Sequence, residues 1–139
     1  MSYSVLLQKL RHDIKLLKLE KKKLKLEQIA MLEFIEGKKQ IAQFNVNQKI
    51  ITISKGDHLR GFEHILLRHY CDECSGLLNA REIVNIGFLL YKGRELTSFE
   101  LNERGTKGYE LIKQDEIRLR IILNKDGLLE RVLSYYSNR

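Results

Sequence analysis

Two of the chain's four histidines fall close together, in Gly61-Phe-Glu-His64-Ile-Leu-Leu-Arg68-His69, and histidine is the side chain whose proton affinity lies nearest neutral pH. On a helix, His64 and Arg68 stand one turn apart on a shared face, whereas His69 lies roughly 140° round from His64. An imidazole can move a proton while a guanidinium one turn away holds a phosphate. The same His-x-x-x-x-His spacing also suits a structural or surface pair, and Glu63 reads as a surface partner of nearby cations.

A second set of polar residues lies near the carboxy terminus. Strand alternation puts Leu119, Ile121 and Leu123 on one face and leaves Arg118, Arg120 and Ile122 on the other. In the following segment Leu133 and Tyr135 are the better core candidates, so Ser134 and Tyr136 join the arginines. Two adjacent guanidinium groups repel unless solvent or an anion separates them, and phosphate is the natural anion. A solvated outer face of a half-buried sheet would show the same pattern.

Cys71-Asp-Glu-Cys74, with His69 two residues upstream, supplies at most three of the four ligands a structural zinc needs. It also follows a helical pattern, whereas a thioredoxin-like pair opens a helix after a strand. Two partly buried thiols are the expectation. His12 and His58 have no constellation, and neither a Walker loop, a Gly-x-Gly-x-x-Gly nor a His-Glu-x-x-His occurs.

The elements that must position these groups change in character along the chain. From Tyr3 to about Phe44 apolar residues recur at three and four, and Leu10, Leu17, Leu24 and Met31 are seven apart, which predicts one long helix or two. Asp13, Glu20 and Glu27 interrupt the second row of a coiled-coil seam, and Gly37 followed by two lysines is a helix end. Lys49 to Ser54 reads as a strand, with Asp57 able to cap a helix bearing Leu59, Phe62, Ile65, Leu66 and Tyr70. Asn79 opens a helix over 80–91 that ends before Gly93. Strands follow at about 108–112, 117–123 and 129–136, the last two joined by a hairpin loop at 124–127 in which Gly127 supplies positive φ. The expected fold is α+β: a basic helical arm (1–44), then a head (45–139) of helices on a small antiparallel sheet of three or four strands.

With 139 residues, 43% of them hydrophobic and 31% charged, the chain is one domain's worth of soluble globular protein. No run of about 18 apolar residues exists, and charges interrupt the amino-terminal stretch where a secretory signal would be uninterrupted, so a cytoplasmic protein without membrane contact is expected. The net charge of +7 is concentrated in residues 1–40, which hold ten Lys/Arg against five Asp/Glu. Anionic partners are favoured, although charge alone does not separate RNA, DNA and an acidic protein.

The helix carrying Gly61-Phe-Glu-His64-Ile-x-x-Arg68-His69, a second helix and a sheet ending in Glu130-Arg-Val-Leu-Ser134-Tyr-Tyr136 resemble the barnase, EndoU, colicin and RelE superfamily of RNase domains, in its phage and mobile-element form. The resemblance spans about residues 46–139. It implies a four-stranded antiparallel sheet with RNA across the face opposite the helices. Carried over by position, it makes His64 and His69 the catalytic histidines, Arg120 the sheet cation with Arg118 as its alternative in another register, and Ser134 and Tyr136 the polar and aromatic residues of the last strand. Arg68 and Lys107 are nominated as RNA contacts. The implied activity is metal-independent cleavage by 2′-hydroxyl attack, leaving a 2′,3′-cyclic phosphate, with no cofactor. A toxin-like role with an acidic antitoxin or immunity protein as partner follows, as does a homodimer through the amino-terminal helix. The competing expectation is a non-catalytic basic module that binds nucleic acid or protein for a phage or mobile element.

Overall fold

The computed structural model describes residues 1–101, 105–124 and 129–139. Helix α1 (Tyr3–Leu16) is capped by the Ser2 side chain, and α2 (Leu26–Ile35) follows after a single 3-10 turn, Lys21–Lys23. Strands β1 (Ile41–Val46) and β2 (Lys49–Ser54) form an antiparallel pair. Helices α3 (Phe62–His69), α4 (Ala80–Val84) and α5 (Ile86–Lys92) follow. The short β3 (Arg94–Glu95), β4 (Thr106–Ile112), β5 (Arg118–Asn124) and β6 (Leu129–Ser137) complete one sheet, ordered β1-β2-β6-β5-β4-β3.

The fold is α+β with an amino-terminal helix, but the sheet has six strands rather than three or four. It is also mixed, because β2 runs parallel to β6 over Ile50↔Leu129 to Thr52↔Arg131. The two unforeseen outer strands have separate origins. β1 comes from the tail of the stretch read as helical arm, where Ala42, Phe44 and Val46 alternate inward, and β3 is only two residues long.

Residues 1–44 are built into the same core as the sheet. Leu6, Leu10, Met31, Phe34, Ile35, Ala42 and Phe44 belong to one buried cluster with Ile53, Phe62, Ile83, Leu89, Ile121 and Tyr135. Leu10 and Met31 of the leucine row are therefore spent inside the chain, with Leu17 packed against the same cluster. The continuous helix fails at Leu17 to Lys25, where Lys18 turns to φ 50° and like charges at Lys21, Lys22 and Lys23 disfavour another helical turn. Gly37 ends α2 as expected, at φ 85°, with its N–H donating to the Phe34 carbonyl and that of Lys38 to Glu33.

Asn79 caps α4 in a reciprocal box with Glu82, but the expected helix over 80–91 breaks at Asn85, whose side-chain oxygen accepts from Gln28 of α2. Asp57 does not cap α3. Its carboxylate accepts from the N–H groups of Leu59 and Arg60 in a turn, which leaves Leu59 exposed and outside the helix. In β6 a register shift opposite Ile122/Leu123 pairs Leu123 with Val132 and Ile122 with Ser134. The strand changes phase there, so Val132 takes the core place expected of Leu133, which is only half-buried, while Tyr135 is buried as expected. β5 and β6 pair antiparallel on either side of 125–128, residues that lie outside those described and include Gly127. No helix among the described residues is long and apolar enough to cross a membrane.

Candidate functional site

β2 covers one side of β6 only as far as Arg131. Beyond that point the vacated side is taken by α3 and the chain that follows it. The Gly61 N–H donates to the Leu133 carbonyl at 2.9 Å, and Ser137 N–H donates to Gly76 at 3.1 Å. Two glycines make this landing possible. A Cβ on Gly56 (φ 62°) would lie 2.0 Å from the Arg60 carbonyl oxygen, and Gly61 holds φ 97° with the Gly56 Cα 3.0 Å from where its Cβ would be.

The tight 55–61 turn brings the His58 carbonyl to 3.0 Å from His64 Nδ1, while His64 Nε2 sits 3.2 Å from Ser134 Oγ. A carbonyl only accepts, so Nδ1 carries the proton and, in the neutral ring, the Nε2 lone pair faces the Ser134 hydroxyl. His69 stands edge-on to His64 at 5.9 Å between ring centroids, and its other neighbour is the Tyr136 ring at 5.6 Å. Its Nδ1 donates to the Ser75 carbonyl at 3.0 Å. Burial holds the His69 ring below the ordinary histidine pKa, and the charges of His64 and Arg68 add to this against the opposing Ser75 hydrogen bond.

Tyr136 lies directly across the ladder from Arg120, as Ser134 does from Ile122. Its ring separates two depressions. One, of about 210 Å³, is shared with Ser134, Arg60 and Thr106, and the other, of about 750 Å³, is shared with Arg118, Arg120 and Glu110. Sequence reasoning missed the carboxylates here. Arg120 Nε donates to Glu110 at 2.6 Å, Arg94 donates to the other Glu110 oxygen at 3.1 Å, and Arg94 forks onto Glu100 with two bonds of 2.9 Å. Burial disfavours ionisation of Glu110, but the two guanidinium groups outweigh it and hold the carboxyl below its ordinary range. Strand alternation alone put Glu110 on one of two faces. Which face meets Arg120 depends on the β4–β5 register, with Glu110 opposite Arg120, and local sequence does not encode that.

Of the residues singled out from sequence, His64, His69, Ser134, Tyr136 and Arg120 thus lie along one end of β6 and its neighbour β5, linked by successive contacts. Arg118 is exposed at the rim of the larger depression, and Arg68 is exposed on α3 beside His69. Lys107 is elsewhere. It pairs with core-facing Leu123 across β4–β5 and donates at 3.5 Å to the buried Glu130, on the opposite face of the sheet from Arg120. Cys71 and Cys74 are joined to each other as a disulfide rather than standing as two thiols, and no group of three His, Cys, Asp or Glu among the described residues could hold a metal ion.

The chain matches no family model, no curated protein and no solved structure.

Proposed function

We propose that this protein is a metal-independent endoribonuclease that cleaves RNA by attack of a ribose 2′-hydroxyl on the adjacent phosphorus, leaving a 2′,3′-cyclic phosphate. The observation that supports it best is the meeting of His64 Nε2 with Ser134 Oγ at 3.2 Å, on the sheet face that carries Arg120 and Tyr136 and with a second imidazole 5.9 Å away. Two imidazoles at that separation can both reach one phosphodiester.

The proton assignment follows from burial. His69, kept neutral near pH 7, takes the 2′ proton, and His64 in its protonated form gives a proton to the departing 5′ oxygen. The charge of His64 helps keep His69 neutral, so one imidazole accepts a proton while the other delivers one. Arg120, oriented by Glu110, faces the charge that builds on the phosphorane, and Arg118 and Arg68 add attraction from the rim. The Ser134 hydroxyl donates to a non-bridging oxygen once substrate displaces its bond to His64, and Tyr136 stacks on a base. Toxin-like use, with an acidic inhibitor covering the cationic face, is the setting this chemistry suits.

The second reading is a non-catalytic basic module that binds nucleic acid or protein. The pairing of Arg120 with Glu110 favours it over catalysis, since a guanidinium already neutralised by a carboxylate offers less charge to a developing phosphorane. The two readings separate when purified protein is incubated with total RNA in excess chelator and fragment ends are analysed. Fragments ending in 2′,3′-cyclic phosphate are expected, and RNA left intact overturns the ribonuclease proposal.

A further inference from the structure

Helix α5 buries Ile86, Leu89 and Leu90 against the sheet layer, yet it also presents two aromatic rings outward: Phe88 is 50% exposed and Tyr91, three residues on, is 56% exposed. Both rings line a groove of about 460 Å³ whose other bank is Lys25, which precedes α2, with Glu27 and Gln28 of its first turn. The two helices touch beside it, because a Cβ on Gly87 would lie 2.5 Å from that of Glu27. The groove's amides serve each other, Gln28 donating to Asn85 at 2.7 Å. Phe88 is also the ridge shared with a second depression of about 200 Å³ that reaches Arg81 and Lys113.

Lysines outnumber carboxylates around these rings, where Glu27 stands against Lys25 and Lys92. The exposed Lys21–Lys23 turn leads directly into Lys25 on the groove's bank, and Lys92 places its ammonium 5.1 Å from the Tyr91 ring centroid. Aromatic faces interleaved with cations form the surface on which single-stranded nucleic acid binds without sequence preference, because every base offers a π-face and every linkage a negative charge. α5 packs on β4 and β5 from the core side, so this groove lies across the sheet from Ser134 and Tyr136.

We propose that the α2–α5 groove is a second nucleic-acid site, in which bases of a single strand stack on Phe88 and Tyr91 while the backbone follows Lys25, the Lys21–Lys23 turn and Lys92. The site needs neither the His64 chemistry nor a ribose 2′-hydroxyl.

Fluorescence anisotropy with a labelled oligothymidylate of about 12 residues tests it, since that strand has no 2′-hydroxyl to attack. Wild-type protein is expected to bind it with affinity that falls as salt rises. The pair Phe88→Leu and Tyr91→Leu, which keeps apolar volume but removes both stacking faces, is expected to weaken binding at least about fivefold, while His64→Ala binds as wild type. Circular dichroism confirms that the variants are folded. Three results overturn the proposal: no binding by wild type, equal binding by the leucine variant, or a wild-type dimer in sedimentation that the leucine changes dissolve. The last would reassign the groove to self-association. Cleavage of RNA in the separate chelator assay bears on His64 alone, so the two proposals fail independently.

Discussion

At the scale of single residues, His69 makes the sharpest electrostatic statement. Its folded pKa lies below the unfolded value of about 6.5, so its contribution to stability is present above that pH and is lost as pH falls and the buried ring must charge. Urea unfolding is therefore expected to show a larger loss of stability between about pH 7 and pH 5 for wild type than for His69→Gln, which retains a donor for Ser75 but does not titrate. Equal losses would remove His69 from this account. Glu110 gives a second test. Glu110→Gln removes the buried carboxylate between Arg94 and Arg120 and leaves Glu100 as their shared partner, which is expected to cost about 1.5–3 kcal/mol in thermal or denaturant unfolding. The same variant releases Arg120 from its orientation and slows cleavage. His64, Arg120, Ser134 and Tyr136 were all legible in the sequence, since period-two alternation and a helical stripe depend only on neighbours along the chain. Glu110, Arg94 and the His58 carbonyl were not, because each is brought in by register or by a turn.

At the scale of elements, the bend at 55–61 decides whether the site exists. A methyl group on Gly56 meets the Arg60 carbonyl and forces a left-handed backbone on alanine, costing roughly 1–2 kcal/mol from conformation alone. Gly56→Ala is thus expected to lower thermal stability and also to displace the His58 carbonyl, read in the imidazole nitrogen shifts of His64. An unchanged His64 spectrum would contradict this role for the turn. The β-bulge in β6 illustrates why the pattern misled at one residue. Alternation assigns Leu133 to the core throughout the strand, but the added residue flips the phase, so Val132 is buried and Ser134 still reaches His64. Bulges arise from strand pairing, which a local pattern does not show.

At the scale of the whole molecule, the amino-terminal 44 residues are the main departure from expectation. Heptad-like leucines suggested an arm that packs on a partner, whereas the chain folds them onto itself as α1, α2 and β1. The ambiguity is physical, because a leucine row looks the same whether its complement lies in another molecule or across a turn of nine residues. Leu10 is fully buried, so Leu10→Ala is expected to cost about 2–5 kcal/mol, while Leu24→Ala in the connecting turn costs far less. Similar effects at both sites, measured by urea unfolding, would restore the picture of a separable arm. The outer strands β1 and β3 have weak local signals: β1 turns into β2 through Asn47-Gln48 with no glycine to mark the hairpin and continues a stretch of helical texture, and β3 is too short to carry a period.

The central claim is that the imidazole beside Ser134 moves a proton during RNA cleavage. Its most direct test is the initial rate of RNA cleavage in excess chelator for wild type and His64→Ala, compared where both are shown to be folded. A fall of about 10²- to 10⁴-fold is expected for removal of a positioned acid or base, and equal rates would contradict the account.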